Sequence, residues 1–144
     1  PGLASSPAIA ERVEHLLLGI CPDIEKDENY NPVREEVNPF RFCSMEEREQ
    51  RIKENPLYGR IICRCESVTE GEIVDAIHGK VPAVNIDAIK RRTRAGMGRC
   101  QGGYCQTRIT ELIEKELGLS PEDLRYQREG GWIFTGTVRN EAGK

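Results

Sequence analysis

Four cysteines constrain this chain more than any other feature: Cys63-Arg64-Cys65 and, after 34 intervening residues, Cys100-Gln-Gly-Gly-Tyr-Cys105. Any fold that uses them together must bring two distant stretches to one place. Ile61-Ile62-Cys63-Arg64-Cys65 is short, apolar and β-branched, which predicts an extended run in which residues i and i+2 face the same side. Cys63 and Cys65 can then bind together, whereas a disulfide between them would close a small strained ring. The second pair lies in Gly96-Met-Gly-Arg-Cys-Gln-Gly-Gly-Tyr-Cys105. Glycine lets such a loop wrap closely around a ligand and aim N–H groups at sulfur. Cys63, Cys65, Cys100 and Cys105 therefore read as four ligands of one inorganic centre, and a 2Fe-2S cluster is the centre expected. Zinc is the alternative. Structural zinc sites favour cysteine pairs separated by two to four residues, yet four thiolates would bind zinc tightly where iron is missing.

Composition supports free thiols rather than disulfides. Six cysteines could form a disulfide framework, but no basic start followed by an apolar stretch marks a secretory signal, and reducing compartments keep thiols free. No run approaches the roughly 18 apolar residues of a membrane span, so a cytoplasmic protein without a membrane-spanning segment is expected. The net charge of -3 gives no reason to expect nucleic acid as a partner. The chain begins at Pro1 rather than Met, which suggests a piece of something longer.

The expected fold class is mainly α, a small domain of short helices with cysteine-bearing loops, preceded by an N-terminal helix and an irregular linker. Ser6 as N-cap, Pro7 at the first helical position and Gly19 at the end delimit the first helix. Ile9, Val13, Leu16 and Leu17 form its apolar stripe. Residues 20–56 are expected to be a linker carrying one short helix, which Ser44 and Glu47 open with a capping box and Pro56 stops. Tyr30, Phe40 and Phe42 could pin it at intervals. Cys21 and Cys43, which lie in it without a partner at ligand spacing, read as small apolar residues.

A second capping box, Thr69 with Glu72, opens a helix with Ile73, Val74 and Ile77 inward, ending at Gly79. His78 beside that end reads as a dipole partner rather than a ligand. Asn85 or Asp87 starts another short helix with Ile86 and Ile89 inward and Gly96 as terminator. The last long helix runs from Cys105 to Leu117 and stops at Gly118, its stripe being Cys105, Ile109, Leu112, Ile113 and Leu117. The thiol at its first turn is placed where a helix N-terminus favours thiolate. Ser120 opens a final short helix, and residues 128–144 form a tail.

Arg60 and Arg64 flank the first cysteine pair, and Lys90, Arg91, Arg92, Arg94 and Arg99 precede the second. A basic run is usually a solvated face. Here a second reading is open, because two ferric ions, two sulfides and four thiolates sum to about -2, and about -3 when reduced, so nearby cations would stabilise the centre. No nucleophile–base or carboxylate pair stands out, so no catalytic residue is assigned and the chain alone is not expected to be an enzyme.

Over residues 57–127 the phrases ICRCESVTEGEI and KRRTRAGMGRCQGGYC resemble the bacterioferritin-associated ferredoxin family, small helical domains holding one 2Fe-2S cluster between two loops. The resemblance implies Cys63, Cys65, Cys100 and Cys105 as its ligands. The opening run PGLASSPAIA resembles the closing segment of the FAD-binding domain in flavoproteins of the amino-acid oxidase and glycerol-3-phosphate dehydrogenase type. It implies that residues 1–19 are the closing helix of a flavin domain and that Gly2, Leu3 and Ala4 face FAD in an intact parent. The order of segments is similar to the C-terminal part of FAD-dependent dehydrogenases of the anaerobic glycerol-3-phosphate kind. That similarity implies an electron relay from flavin to an acceptor, with the parent's flavin domain as partner. A structural metal module, and an interaction module whose basic patch recruits an acidic acceptor, are the alternatives.

Overall fold

The computed structural model of the chain describes residues 2–33 and 37–136. Pro1, residues 34–36 of the expected linker and residues 137–144 of the expected tail lie outside them. The chain divides into two compact units, one up to Glu36 and one from Val37 onward.

The first unit is built on α1 (Ser6–Ile20). Pro7 sits in its first turn, where its missing N–H costs nothing. Ser5, not Ser6, is the N-cap, because the Ser6 hydroxyl donates to the Leu3 carbonyl instead, at 2.8 Å. The helix ends one residue past Gly19, with the Cys21 N–H on the Leu17 carbonyl. Its apolar stripe stays open to solvent: Ile9, Val13, Leu16 and Leu17 are each about half exposed.

The second unit starts with α2 (Met45–Glu54), opened by the expected reciprocal bonds between Ser44 and Glu47. Upstream of it a single 3-10 turn, Phe40–Phe42, buries Phe40, whereas Phe42 and the more distant Tyr30 are exposed. A second such turn, Pro56–Gly59, leads into β1 (Ile61–Cys63), which pairs antiparallel with β2 (Val68–Thr69). The extended run therefore stops at Cys63. Arg64–Ser67 form a turn closed by Ser67 in the left-handed region, φ 53°. Cys65 rides on that turn and not beside Cys63 on a strand.

Three helices then build the core. Helix α3 (Glu70–His78) begins with both bonds of the Thr69–Glu72 capping box and buries Ile73 and Ile77, with Val74 half-buried. Helix α4 (Ile86–Thr93) is capped by the Asn85 side chain, which accepts from the Ala88 N–H. It ends at Arg94, φ 69°, two residues before the expected Gly96. Helix α5 (Cys105–Leu117) buries Cys105, Ile109, Leu112 and Ile113 and stops at Gly118 in the left-handed conformation, φ 64°. A final 3-10 turn, Pro121–Asp123, and an isolated bridge between Arg125 and Trp132 close the described chain. Ile73, Ile77, Ile89, Ile109 and Ile113 are fully buried together, and Cys63, Val68 and Cys105 join the same apolar cluster at one end. The fold is mainly α, with one two-stranded sheet among the described residues. Among the described residues no helix is long and apolar enough to cross a membrane.

Candidate metal centre

The core delivers the four cysteines in two kinds of place. Cys63, last residue of β1, and Cys105, first residue of α5, are each 1% exposed. Cys65 is exposed on the β1–β2 turn, and Cys100 is half-buried in the loop before α5. The two Sγ atoms of Cys65 and Cys100 lie 3.7 Å apart, across 35 residues of sequence. A disulfide would need about 2.05 Å. Two sulfurs on one tetrahedral metal, each at about 2.3 Å, would be about 3.8 Å apart. The observed separation excludes a disulfide and is compatible with two sulfurs on one metal, as it is with a thiol–thiol hydrogen bond.

Cys63 and Cys105 are neighbours in the same buried apolar cluster. Burial pushes the Cys105 thiol up to about 11, and the neighbouring Cys63, then Cys100, push in the same direction. Cys100 is moved the opposite way. The Tyr104 N–H holds its thiol below the ordinary value, helped by the Cys65 thiol and the N–H groups of Gly102 and Gly103. The glycine-rich loop thus turns its backbone donors toward sulfur. Gln101 and Gly102 make the reversal with φ of 49° and 90°.

Close approach of the two loops depends on Gly98. A Cβ placed there would run into the Cβ of Cys65, well inside 3.0 Å. Met97, Gly98, Arg99 and Gln101 line one side of a cavity of about 490 Å³, with Cys65 and Glu66 opposite. Glu66 is the charged centre of this edge. Its Oε2 accepts from Arg41 Nη1 at 2.6 Å and from Arg94 Nε at 2.8 Å. Those guanidinium groups, Arg94 foremost, hold the carboxyl below the usual carboxylate range.

The donor set therefore suits a two-iron cluster, which asks for four thiolates arranged two to a metal. Zinc would need all its ligands around one point. Among the described residues one close thiol pair is seen, Cys65 with Cys100. Cys43 is buried against the Pro39 carbonyl, and Cys21 is exposed. His78 pairs with Glu116 at 2.9 Å. Gly2, Leu3 and Ala4 form an exposed turn before α1. The basic residues around the centre are partly committed: Arg60 faces Glu70, Arg91 faces Asp87 and Arg94 faces Glu66, while Arg64 and Arg99 are exposed. Sequence reasoning passed over Arg41 and Glu66. Nothing in their local pattern marks them, because the pair spans 25 residues and exists only once the turn at Phe40 is packed.

Comparison with known proteins adds the family. Residues 61–115 match the BFD-like [2Fe-2S] binding domain. The chain is 48% identical over 141 residues to a glycerol 3-phosphate dehydrogenase of Caloramator mitchellensis, covering 98% of this chain and 29% of that protein. It is 39% identical over 68 residues to an opine oxidase subunit of Rhizobium meliloti, covering 47% of this chain and 12% of the relative. Against an anaerobic glycerol-3-phosphate dehydrogenase subunit of Escherichia coli it is 36% identical over 67 residues, or 44% of this chain and 12% of the relative. The chain thus spans less than a third of the length of each of these relatives. No solved structure matches it. The stretch that matches the BFD-like [2Fe-2S] binding domain, residues 61–115, carries Cys63, Cys65, Cys100 and Cys105, and the relatives named here are oxidoreductases.

Proposed function

We propose that this chain is the electron-transfer module of an FAD-dependent dehydrogenase acting on glycerol 3-phosphate or a similar hydroxy compound, relaying electrons from flavin to an acceptor. The observation that carries the reading is the meeting of thiols from two distant segments at a metal-like separation, Cys65 to Cys100 at 3.7 Å. Cys63, Cys65, Cys100 and Cys105 are the proposed ligands. Bound there, a 2Fe-2S cluster supplies one-electron chemistry, with a potential set by hydrogen bonds to sulfur, net charge and exposure.

The two cysteine pairs divide the work. Cys63 and Cys105 anchor the centre in the apolar core, while Cys65 and Cys100 open it to the surface where an acceptor can approach. Arg64 and Arg99, both exposed beside this edge, favour an acidic acceptor through electrostatic steering. Residues 1–19 are proposed to close the flavin domain of a longer parent, with Gly2, Leu3 and Ala4 toward FAD. Similarity to a dehydrogenase over 98% of the chain supports that placement. Unbridged thiols in pairs fit a reducing, cytoplasmic setting. Zinc is the less supported occupant of the same cysteines.

Anaerobically purified chain is expected to be red-brown, to contain iron and acid-labile sulfide in equal amounts, and to bleach with dithionite while gaining an EPR signal. Replacing Cys65 or Cys105 by Ser should abolish the colour. Zinc without acid-labile sulfide in such a preparation would overturn the proposal.

A further inference from the structure

Arg41 lies outside the family-matched segment 61–115, yet it makes the shorter of the two contacts to Glu66, the residue after Cys65. The turn that carries Arg41 is held from several sides. Arg48 donates to the carbonyls of Phe40 and Arg41, and Arg51 donates to that of Asn38. The Phe40 N–H donates to Glu72 Oε1 at 2.9 Å, which ties the turn to the capping box of α3. Phe40 packs on Tyr58, whose hydroxyl bonds Asp75, and the Tyr58 ring lies so close to Gly71 that no Cβ fits there. Arg41 is thus presented on a fixed base rather than on a loose linker.

The second contact is made at a conformational cost. Arg94 adopts φ 69°, which a non-glycine residue reaches at roughly 1 kcal/mol or more. Glycine would end α4 more cheaply but could not reach Glu66. Glu66, only 14% exposed, joins the turn at residue 41 to the end of α4 and fixes the loop that presents Cys65.

We infer that Glu66, clamped by Arg41 and Arg94, is a positioning residue for the exposed half of the metal centre, and that residues 37–59 are a working part of the cluster domain. This rests on the reading of the four cysteines as cluster ligands. The clamp acts in two ways that can be separated. Mechanically, it holds Cys65 toward Cys100, so removing any member loosens the centre. Electrostatically, its members carry opposite charges, so their removal shifts the reduction potential in opposite directions.

The test uses the full chain, loaded and purified anaerobically, as wild type and as Arg41→Gln, Glu66→Gln, Arg94→Gly and Lys115→Gln. Bleaching by excess iron chelator is expected to accelerate on the order of 10-fold in the first three, the usual effect of removing an outer partner of a ligand. Lys115→Gln, in the last turn of α5, should match wild type. Reduction adds negative charge, so Arg41→Gln and Arg94→Gly should lower the midpoint potential and Glu66→Gln should raise it. Arg41→Lys should restore most of the potential. Arg94→Gly meets no steric penalty at the end of α4, so its helical circular dichroism is expected to equal that of wild type. Bleaching rates like wild type, or potentials that fail to move apart, would overturn the inference alone. A wild-type chain without iron and sulfide would overturn the proposed function as well.

Discussion

Gly98 and Gly118 show how two glycines in one chain answer to different physics. At Gly98 the φ is ordinary and the constraint is space, since a methyl group would meet the Cβ and Sγ of Cys65 from the opposite loop. The loop backbone cannot yield, nor could Cys65 if it is the ligand proposed above, so Gly98→Ala should displace Cys65. The chain is expected to keep its far-UV circular dichroism while losing most of its visible absorption. At Gly118 space is open and the constraint is φ 64°, so Gly118→Ala should cost about 1 kcal/mol of stability, read as a lower urea midpoint, with the chromophore unchanged. A Gly98→Ala chain with full colour would show that the loops do not meet as described. Spacing alone singles out the four cysteines proposed as ligands, because ligand chemistry does not depend on the path between them. The role of Gly98 could not, because Cys65 becomes its neighbour only after folding.

Helix starts were legible for a related reason: a capping box is a local device. Ser44 with Glu47 and Thr69 with Glu72 both form as the sequence predicts. The end of α4 was not legible, since the contacts of Arg94 with Glu66, from another segment, hold a conformation that local preference gives to glycine. Glu72 shows the same tertiary layer. Its Oε2 serves the Thr69 N–H and hydroxyl, as any capping box would, but its Oε1 also accepts from Phe40, 32 residues away. Glu72→Ala should therefore cost about 1–3 kcal/mol through partly buried N–H groups left without partners. Glu47→Ala, in an exposed box, should cost about 1 kcal/mol or less. Urea midpoints of the two variants decide this, and equal losses would assign Glu72 a purely local role.

The contact between α3 and α5 at His78 and Glu116 carries a pH signature. The hydrogen bond from His78 is the main cause that lowers the Glu116 carboxyl from its ordinary value of 4.5. A lowered folded value contributes stability that is complete above the ordinary value and disappears as the pH falls through the folded one. Wild-type protein should therefore lose more stability between about pH 5.5 and pH 3 than His78→Ala does. Urea midpoints at the two pH values measure the difference. Equal acid losses would remove His78 as the cause.

At the scale of the whole molecule, the position of the metal centre relative to the core separates an electron relay from a structural clamp. Ile73, Ile77, Ile89, Ile109 and Ile113 pack against one another as an apolar core, and Cys63 and Cys105 extend it as small buried thiols. Cys65 and Cys100 hold no part of that core. Stripping the metal should leave the packing of α3, α4 and α5 in place and release only the turn at 64–67 and the loop at 94–104. Zinc fingers, whose folding energy comes from the ion, lie at the other extreme. Hydrogen exchange on loaded and stripped chain distinguishes the cases. Amides of α3 and α5 should stay protected in both, while those of the two loops should exchange faster once the metal is gone. Loss of protection throughout α3 and α5 would mean that the centre folds the domain. In that case holding the two loops together, rather than passing electrons at their exposed edge, would be the role the cysteines serve.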